Sequence, residues 1–202
     1  MFIHEMFQQK PCVFSVEVFP PKKAGAAEET LYPVLRELCT LGPDYISVTY
    51  GAGGGTAGQS TAKIASYIKN GLHVEALAHL TCVNSTRVQV EETLTRLRED
   101  NVENVLALRG DINPDLPRRM DFLHASDLAK AIAQTGGFGV AGACYPEGHV
   151  ESPSLKADVE SLRYKAEAGV SHLITQLFFD NVSYYRFLNM ARKRSEEHTS
   201  EL

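Results

Sequence analysis

Apolar residues fall along this chain in short runs that alternate with longer segments of helical spacing. FSVEVF from Phe14, DYISVTY from Asp44, EALAHLTCV from Glu75, NVLALRGD from Asn104, FGVAGACY from Phe138 and HLITQLFF from His172 are rich in β-branched residues and read as six strands. Between them Leu31, Leu35 and Leu38, then Val90, Leu94 and Leu97, then Leu155, Val159 and Leu162 recur at the interval that lines one face of a helix. Ser85 or Thr86, Ser126 or a neighbour, and Ser183 stand where N-caps belong, and Gly42, Gly71 and Gly169 stand where helices should end.

The result is a βα repeat of about thirty residues, the length of one crossover unit. It implies parallel strands with helices packed outside, as an open doubly wound sheet or a (β/α) barrel. Strand parity separates the two. Glu17 opposes Val16 and Val18; Ser47 and Thr49 oppose Ile46 and Val48; His79 and Thr81 share the parity of Leu77; Arg109 and Asp111 share that of Ala107; Gln176 shares that of Ile174 and Phe178. Polar residues thus gather toward the C-terminal halves of several successive strands. An open sheet has one switch-point crevice, whereas a barrel brings all its strand ends to one mouth, so the α/β fold expected is a TIM-type (β/α)8 barrel. Only the first six βα units are legible, and an eight-unit barrel takes about 250 residues. The expectation is one incomplete barrel domain over residues 1–193, with RSEEHTSEL, residues 194–202, a non-native tail lacking apolar periodicity.

The stretch from Asp44 to Gly71 offers a competing reading. Gly53, Gly55 and Gly58 satisfy G-x-G-x-x-G, and Glu75 follows near the distance of a ribose-binding acid. Context argues against it. A βα unit precedes it, and Glu75 starts the next strand, whereas a Rossmann acid belongs at that strand's C-terminal end. Gly51 to Gly58 reads better as a flexible loop at a barrel mouth, with Thr49 just below it.

Composition narrows the partners. The chain has 202 residues, 44% hydrophobic and 22% charged, enough for one good core, and a formal charge of −5 gives no broad basic field for nucleic acid. No apolar run spans a bilayer and MFIHEMFQQKPCVF resembles no secretion signal, so a cytoplasmic protein that binds small molecules is expected, without nucleic-acid or membrane partners. Cys12, Cys39, Cys82 and Cys144 form no C-x-x-C pair and read as reduced thiols, mostly buried. The sequons at Asn84 and Asn181, and the tripeptide Arg109-Gly110-Asp111, need an extracellular chain to carry their usual meanings.

Glu17 is the sharpest chemical candidate. A carboxylate between two valines in a buried strand should have a raised pKa and could donate a proton; a structural carboxylate paired with an arginine fits the pattern equally. Arg109 and Asp111 read first as a structural ion pair, His79 as a satisfied core histidine, and Tyr145, Glu147 and His149 as a polar loop. Asp158 and Lys165, seven apart on one helix, read as surface charge or as holders of a phosphate or ribose. No metal-binding spacing and no nucleophile elbow is visible.

Together FSVEVFPPK, PDYISVTYGAGGGT, AHLTCVNST, NVLALRGD, FLHASDL, ACYPEGH and AGVSHLITQLFFDN resemble, in order and spacing, the motifs of the methylenetetrahydrofolate reductase family of bacterial type, over about Phe14 to Arg192. The resemblance implies an FAD-containing barrel that reduces 5,10-methylenetetrahydrofolate to 5-methyltetrahydrofolate with NADH or NADPH, in one-carbon and methionine metabolism, and a homo-oligomer. It implies Glu17 as the acid that protonates folate N10, Asp111 beside flavin and pterin, and Gln176 on the pterin. Thr49, His79, Arg109, Gly110, Ala125, Tyr145, His149, Asp158 and Lys165, with Asp111, match FAD contacts. Ser161, Tyr164 and His124 depart from residues common at those family positions, and further folate contacts of the family fall beyond Lys193. Two other readings stay open: a flavin barrel of the proline-oxidising type, which needs no acid at Glu17, and a non-catalytic barrel fragment, which would purify colourless.

Overall fold

A computed structural model describes residues 1–23, 25–50, 57–112 and 119–199. Six strands, β1 (Ser15–Val18), β2 (Tyr45–Val48), β3 (Glu75–Thr81), β4 (Asn104–Leu108), β5 (Gly139–Cys144) and β6 (His172–Thr175), form one sheet in sequential order. All neighbouring pairs are parallel. Sequential order decides against the Rossmann reading of the glycine-rich turn, because a doubly wound sheet reverses its order at a switch point. Glu17 on β1 and Gln176 beyond β6 line one cavity, so the sheet curls into an open half-barrel with β1 and β6 as its edges. Gly53 and Gly55 lie outside the described residues.

Helices follow the strands: α2 (Ala27–Cys39), α3 (Ala57–Ser66, extended by a π-helical turn to Gly71), α4 (Arg87–Glu99), α5 (Ala125–Thr135), α6 (Leu155–Glu167) and α7 (Asn181–Thr199). Their apolar stripes meet one face of the sheet. Leu35, Ile64, Ile68, Leu94, Leu97, Leu128 and Ile132 pack on Val18, Ile46, Val48, Ala78, Leu80, Val105 and Val140. The opposite face holds Tyr45, Leu77, Leu106 and Ala141. A parallel strand covered on both faces reads as a nearly continuous apolar run, which is how the sequence reads.

An N-terminal helix that the sequence reading did not foresee covers that inner face. Helix α1 (Ile3–Gln9) inserts Ile3 and Met6 among Tyr45, Leu77, Leu106 and Ala141, at the N-terminal ends of the strands. The buried side chain of Asn104 pins it, Oδ1 accepting from the Ile3 N–H at 2.8 Å and Nδ2 donating to the Met1 carbonyl at 3.1 Å. The bottom of the curl is therefore plugged, and its C-terminal mouth is left open.

Helix starts correct two sequence expectations. Thr86 caps α4 as expected, its Oγ1 accepting from the Gln89 N–H at 3.2 Å while Gln89 answers the Thr86 N–H at 2.9 Å. At α5 the cap is His124, not Ser126, and Asp127 accepts from the N–H groups of Leu123 and His124. At α7 Asp180, not Ser183, accepts the first free N–H groups, those of Val182 and Ser183. At α7 the carboxylate wins because it offers two acceptor oxygens and a charge complementary to the helix N-terminus, whereas at α5 Asp127, the third helical residue, closes the box back onto the cap residue. Helix α7 runs to Thr199. All four cysteines are free, as expected; Cys82 and Cys144 are buried, Cys39 is partly buried and Cys12 is exposed.

Candidate active site

The open mouth is a cleft of about 2030 Å³. Glu17, Thr49, His79, Arg109, Gly110, Asp111, Ala125, Tyr145, His149, Asp158, Lys165 and Gln176 all line it. These residues lie around one space, although they come from six successive βα units; Glu147, between Tyr145 and His149, does not line it. The volume exceeds the roughly 300–1,000 Å³ of a typical small-ligand pocket, because the cleft is open and runs on along α4 past Val90, Thr93 and Arg96.

Glu17 faces the cleft from edge strand β1, and its carboxylate accepts the Ser47 hydroxyl at 3.2 Å. Its side chain is 48% exposed, so the burial inferred from its valine neighbours is absent. The valines point to the helices while Glu17 points to the open mouth, and one-dimensional alternation could not say which face was wet. His79, two residues above Leu77 on β3, brings Nε2 to 3.5 Å from the Glu17 carboxylate. Burial pushes the His79 imidazole down to about 4, so at neutral pH the ring is uncharged and its contact with Glu17 is not an ion pair. Nε2 has no hydrogen-bond partner. His79 is thus not the satisfied core histidine that the sequence suggested, but a buried polar atom turned toward the cleft.

Arg109 follows β4, where the chain leaves the strand. Gly110 sits at φ +86°, and a Cβ there would come within 3.1 Å of Thr81 and 3.2 Å of Val83, so the turn requires glycine. Arg109, just before the turn, lines the mouth. Its guanidinium pairs not with Asp111, as expected, but with Glu151: Nη1 to Oε2 at 2.6 Å and Nη2 to Oε1 at 2.7 Å. Glu151 was missed because nothing local links it to a residue 42 positions earlier.

The loop after β5 forms the other wall. Tyr145 and His149 meet edge to face with ring centroids 4.7 Å apart, and burial raises the Tyr145 phenol above its usual range. Asp158 on α6 accepts the His149 backbone N–H at 2.8 Å, and the Glu151 N–H donates to His149 Nδ1 at 3.1 Å. Lys165, one α6 stripe further, donates to the Ala143 carbonyl at 2.5 Å, and desolvation lowers its pKa. The pair Asp158 and Lys165 is therefore part of the cleft wall, not plain surface charge. Ala125 begins α5, whose free N–H groups and positive dipole end favour an anion.

These features suit a flavin dinucleotide. The cleft has the room, and His79 offers an unpartnered buried polar atom. Arg109 and Lys165 bring cationic groups to it, beside the carboxylates of Glu17, Asp111 and Asp158. Among the described residues no helix is long and apolar enough to cross a membrane.

Comparisons with known proteins agree with the motifs. The methylenetetrahydrofolate reductase family profile matches residues 2–199. The chain is 39% identical over 173 residues to a 5,10-methylenetetrahydrofolate reductase of Pectobacterium carotovorum, covering 86% of this chain and 57% of that protein. It is 36% identical to the enzyme of that name from Escherichia coli K12 over the same shares. It is 34% identical to methylenetetrahydrofolate reductase (NADH) 1 of Arabidopsis thaliana, covering 95% of this chain and 34% of that one. The chain thus spans 57% of the length of these bacterial relatives. Among solved structures, an uncharacterized protein from Clostridium thermocellum that binds two copies of 5-methyl-5,6,7,8-tetrahydrofolic acid superposes with a TM-score of 0.62 at 15% identity, over 96% of this chain and 64% of that one. An oxaloacetate acetylhydrolase gives 0.64 at 12% identity, over 93% and 66%. At such identities the likeness shows the fold alone. Motif order, family profile and curated relatives converge: the chain belongs to the methylenetetrahydrofolate reductase family.

Proposed function

We propose that the cleft reduces 5,10-methylenetetrahydrofolate to 5-methyltetrahydrofolate, using FAD and a nicotinamide donor, NADH or NADPH. The observation that carries this reading is the convergence of the family's motif residues, scattered from Glu17 to Gln176, on one open mouth. Thr49, His79, Arg109, Gly110, Asp111, Ala125, Tyr145, His149, Asp158 and Lys165 would hold the cofactor. FAD, when bound, supplies the two-electron carrier between nicotinamide and folate.

Glu17 stands on the edge strand, exposed enough to reach a substrate and to recover its proton from solvent. It would donate that proton to folate N10, opening the five-membered ring to an iminium cation. Ser47 orients the carboxylate, and neutral His79 lies beside it without competing as an acid, since its conjugate acid forms only near pH 4. The Asp111 carboxylate would stabilise the cation. The Gln176 amide offers a donor and an acceptor to the pterin.

The test is to purify the chain with FAD and follow flavin absorbance. The wild type should be yellow, bleach with NADH or NADPH, and regain colour with methylenetetrahydrofolate. Glu17→Gln should still bleach but lose folate-dependent recolouring by more than about 100-fold. Unchanged methyltetrahydrofolate formation would remove Glu17 from its role, and a colourless chain unresponsive to FAD would favour the non-catalytic fragment.

A further inference from the structure

We propose that helix α1 is a detachable plug, latched to β6 through His4 and His172, which acid releases while the rest of the sheet stays folded. This goes beyond the reading of the cleft and holds whatever the cleft binds. Phe7 of α1 brings its ring to 5.6 Å from the His172 imidazole, centroid to centroid, and Phe2 stacks on His4 at 5.6 Å. His172 Nδ1 lies 3.1 Å from the Ser171 hydroxyl, but His172 Nε2 and His4 Nδ1 are buried and have no hydrogen-bond partner. A proton on His172 would put charge at a nitrogen that no acceptor meets. The carboxylates around the plug are engaged elsewhere. Glu5 accepts the Phe2 N–H at 3.1 Å, Glu75 and Glu103 hold the Met1 ammonium and Lys69, and Asp44 holds Lys10 and the Phe14 N–H. Among the described residues, His4 is the titratable neighbour that acts on His172, and it works against a proton there.

The packing lets α1 leave as a unit. It gives the interior Ile3 and Met6, which belong to the small inner-face cluster, whereas the large core between sheet and helices contains no α1 residue. A segment that buries so little opens at lower free energy than the core. Leu106 and Ile174 belong to the α1 cluster and also line the cleft, so the top of the plug is the cleft floor, and release opens that floor from below. Burial, and then His4, hold the docked His172 ring at about 4 against an ordinary value of 6.5. As pH falls from 6.5 toward 4 the released ring takes up a proton and the docked one does not, so docking weakens across that window and no further below it. The Met1 ammonium and Lys10 hold Glu103 and Asp44 below the usual carboxylate range, so their pairs outlast most of this window.

The experiment follows amide hydrogen exchange of the full chain at pH 7 and pH 4.5, as protection relative to the unstructured chain. The Ile3 N–H, held by Asn104 Oδ1, reports docking, and the Lys10 N–H, held by the Met6 carbonyl, reports the helix. Both should lose protection roughly 50-fold at pH 4.5 while the amides of Leu94, Leu97 and Ile132 in α4 and α5 stay protected. His172→Phe should keep α1 protected at pH 4.5. In the wild type, which needs no variant to fold, the His172 imidazole shift should titrate over the same pH range in which α1 protection is lost. Unchanged α1 protection overturns the proposal, and so does a His172 titration separate from the loss. Loss of α1 together with α4 and α5 makes the event global unfolding, and an equal loss in His172→Phe assigns the acid sensitivity to the carboxylates; either also overturns it.

Discussion

His79 shows how much one residue's meaning depends on its surroundings. Its sequence context, Ala78-His79-Leu80, fits any core histidine; the structure leaves Nε2 unpartnered and its imidazole pushed down to about 4. His172, in the lower interior beside α1, is likewise held near 4, by burial first and then by His4. In the unfolded chain both titrate near 6.5, so between about pH 6.5 and 4 the unfolded state binds the extra protons and stability falls as pH falls. Above 6.5 neither contributes a slope. Each histidine accounts for at most about 3 kcal/mol over that window. Urea unfolding should show a clearly lower midpoint at pH 4.5 than at pH 7, and His172→Phe should flatten part of that dependence while changing stability little at pH 7. A midpoint independent of pH over this range would contradict the burial of both rings.

At the scale of elements, the strands and the helices that follow them were legible because burial on both sheet faces imposes simple periodicities. Leu31, Leu35 and Leu38 fall in α2, Val90, Leu94 and Leu97 in α4, and Leu155, Val159 and Leu162 in α6. Helix α1 was not legible: MFIHEMFQQK presents only Ile3 and Met6 to the core, too few positions for a period, and its place is fixed by Asn104, about a hundred residues away. Ile3 is fully buried among inner-face residues, so Ile3→Ala should cost about 2–5 kcal/mol in chemical unfolding. The same variant should bind more of a hydrophobic dye, because loosening α1 uncovers Leu77 and Leu106. A loss below about 1 kcal/mol would mean that α1 is not a structural plug.

For the whole molecule, the cleft is where sequential order, curl and open mouth combine. A ligand that binds only the folded chain stabilises it by mass action, so FAD at a hundred times its dissociation constant should add about 2.7 kcal/mol. Calorimetry should show that increment, and Lys165→Met should reduce it at equal FAD concentration, since Lys165 lines the cleft. An unfolding temperature indifferent to FAD would argue against the cofactor site.

The amino-acid sequence by itself determined the βα repeat, the choice of parallel strands, the family and the set of residues to watch, because each is written in local periodicity or in short motifs. Tertiary structure alone decided which strand face was wet, and therefore that Glu17 is exposed while His79 is buried. It also decided that Arg109 pairs with Glu151 and not with Asp111, and that α1 closes the lower end of the curl. Those outcomes depend on contacts between residues far apart in the chain, where charge and burial are set by what the fold brings near and not by what the neighbouring letters are.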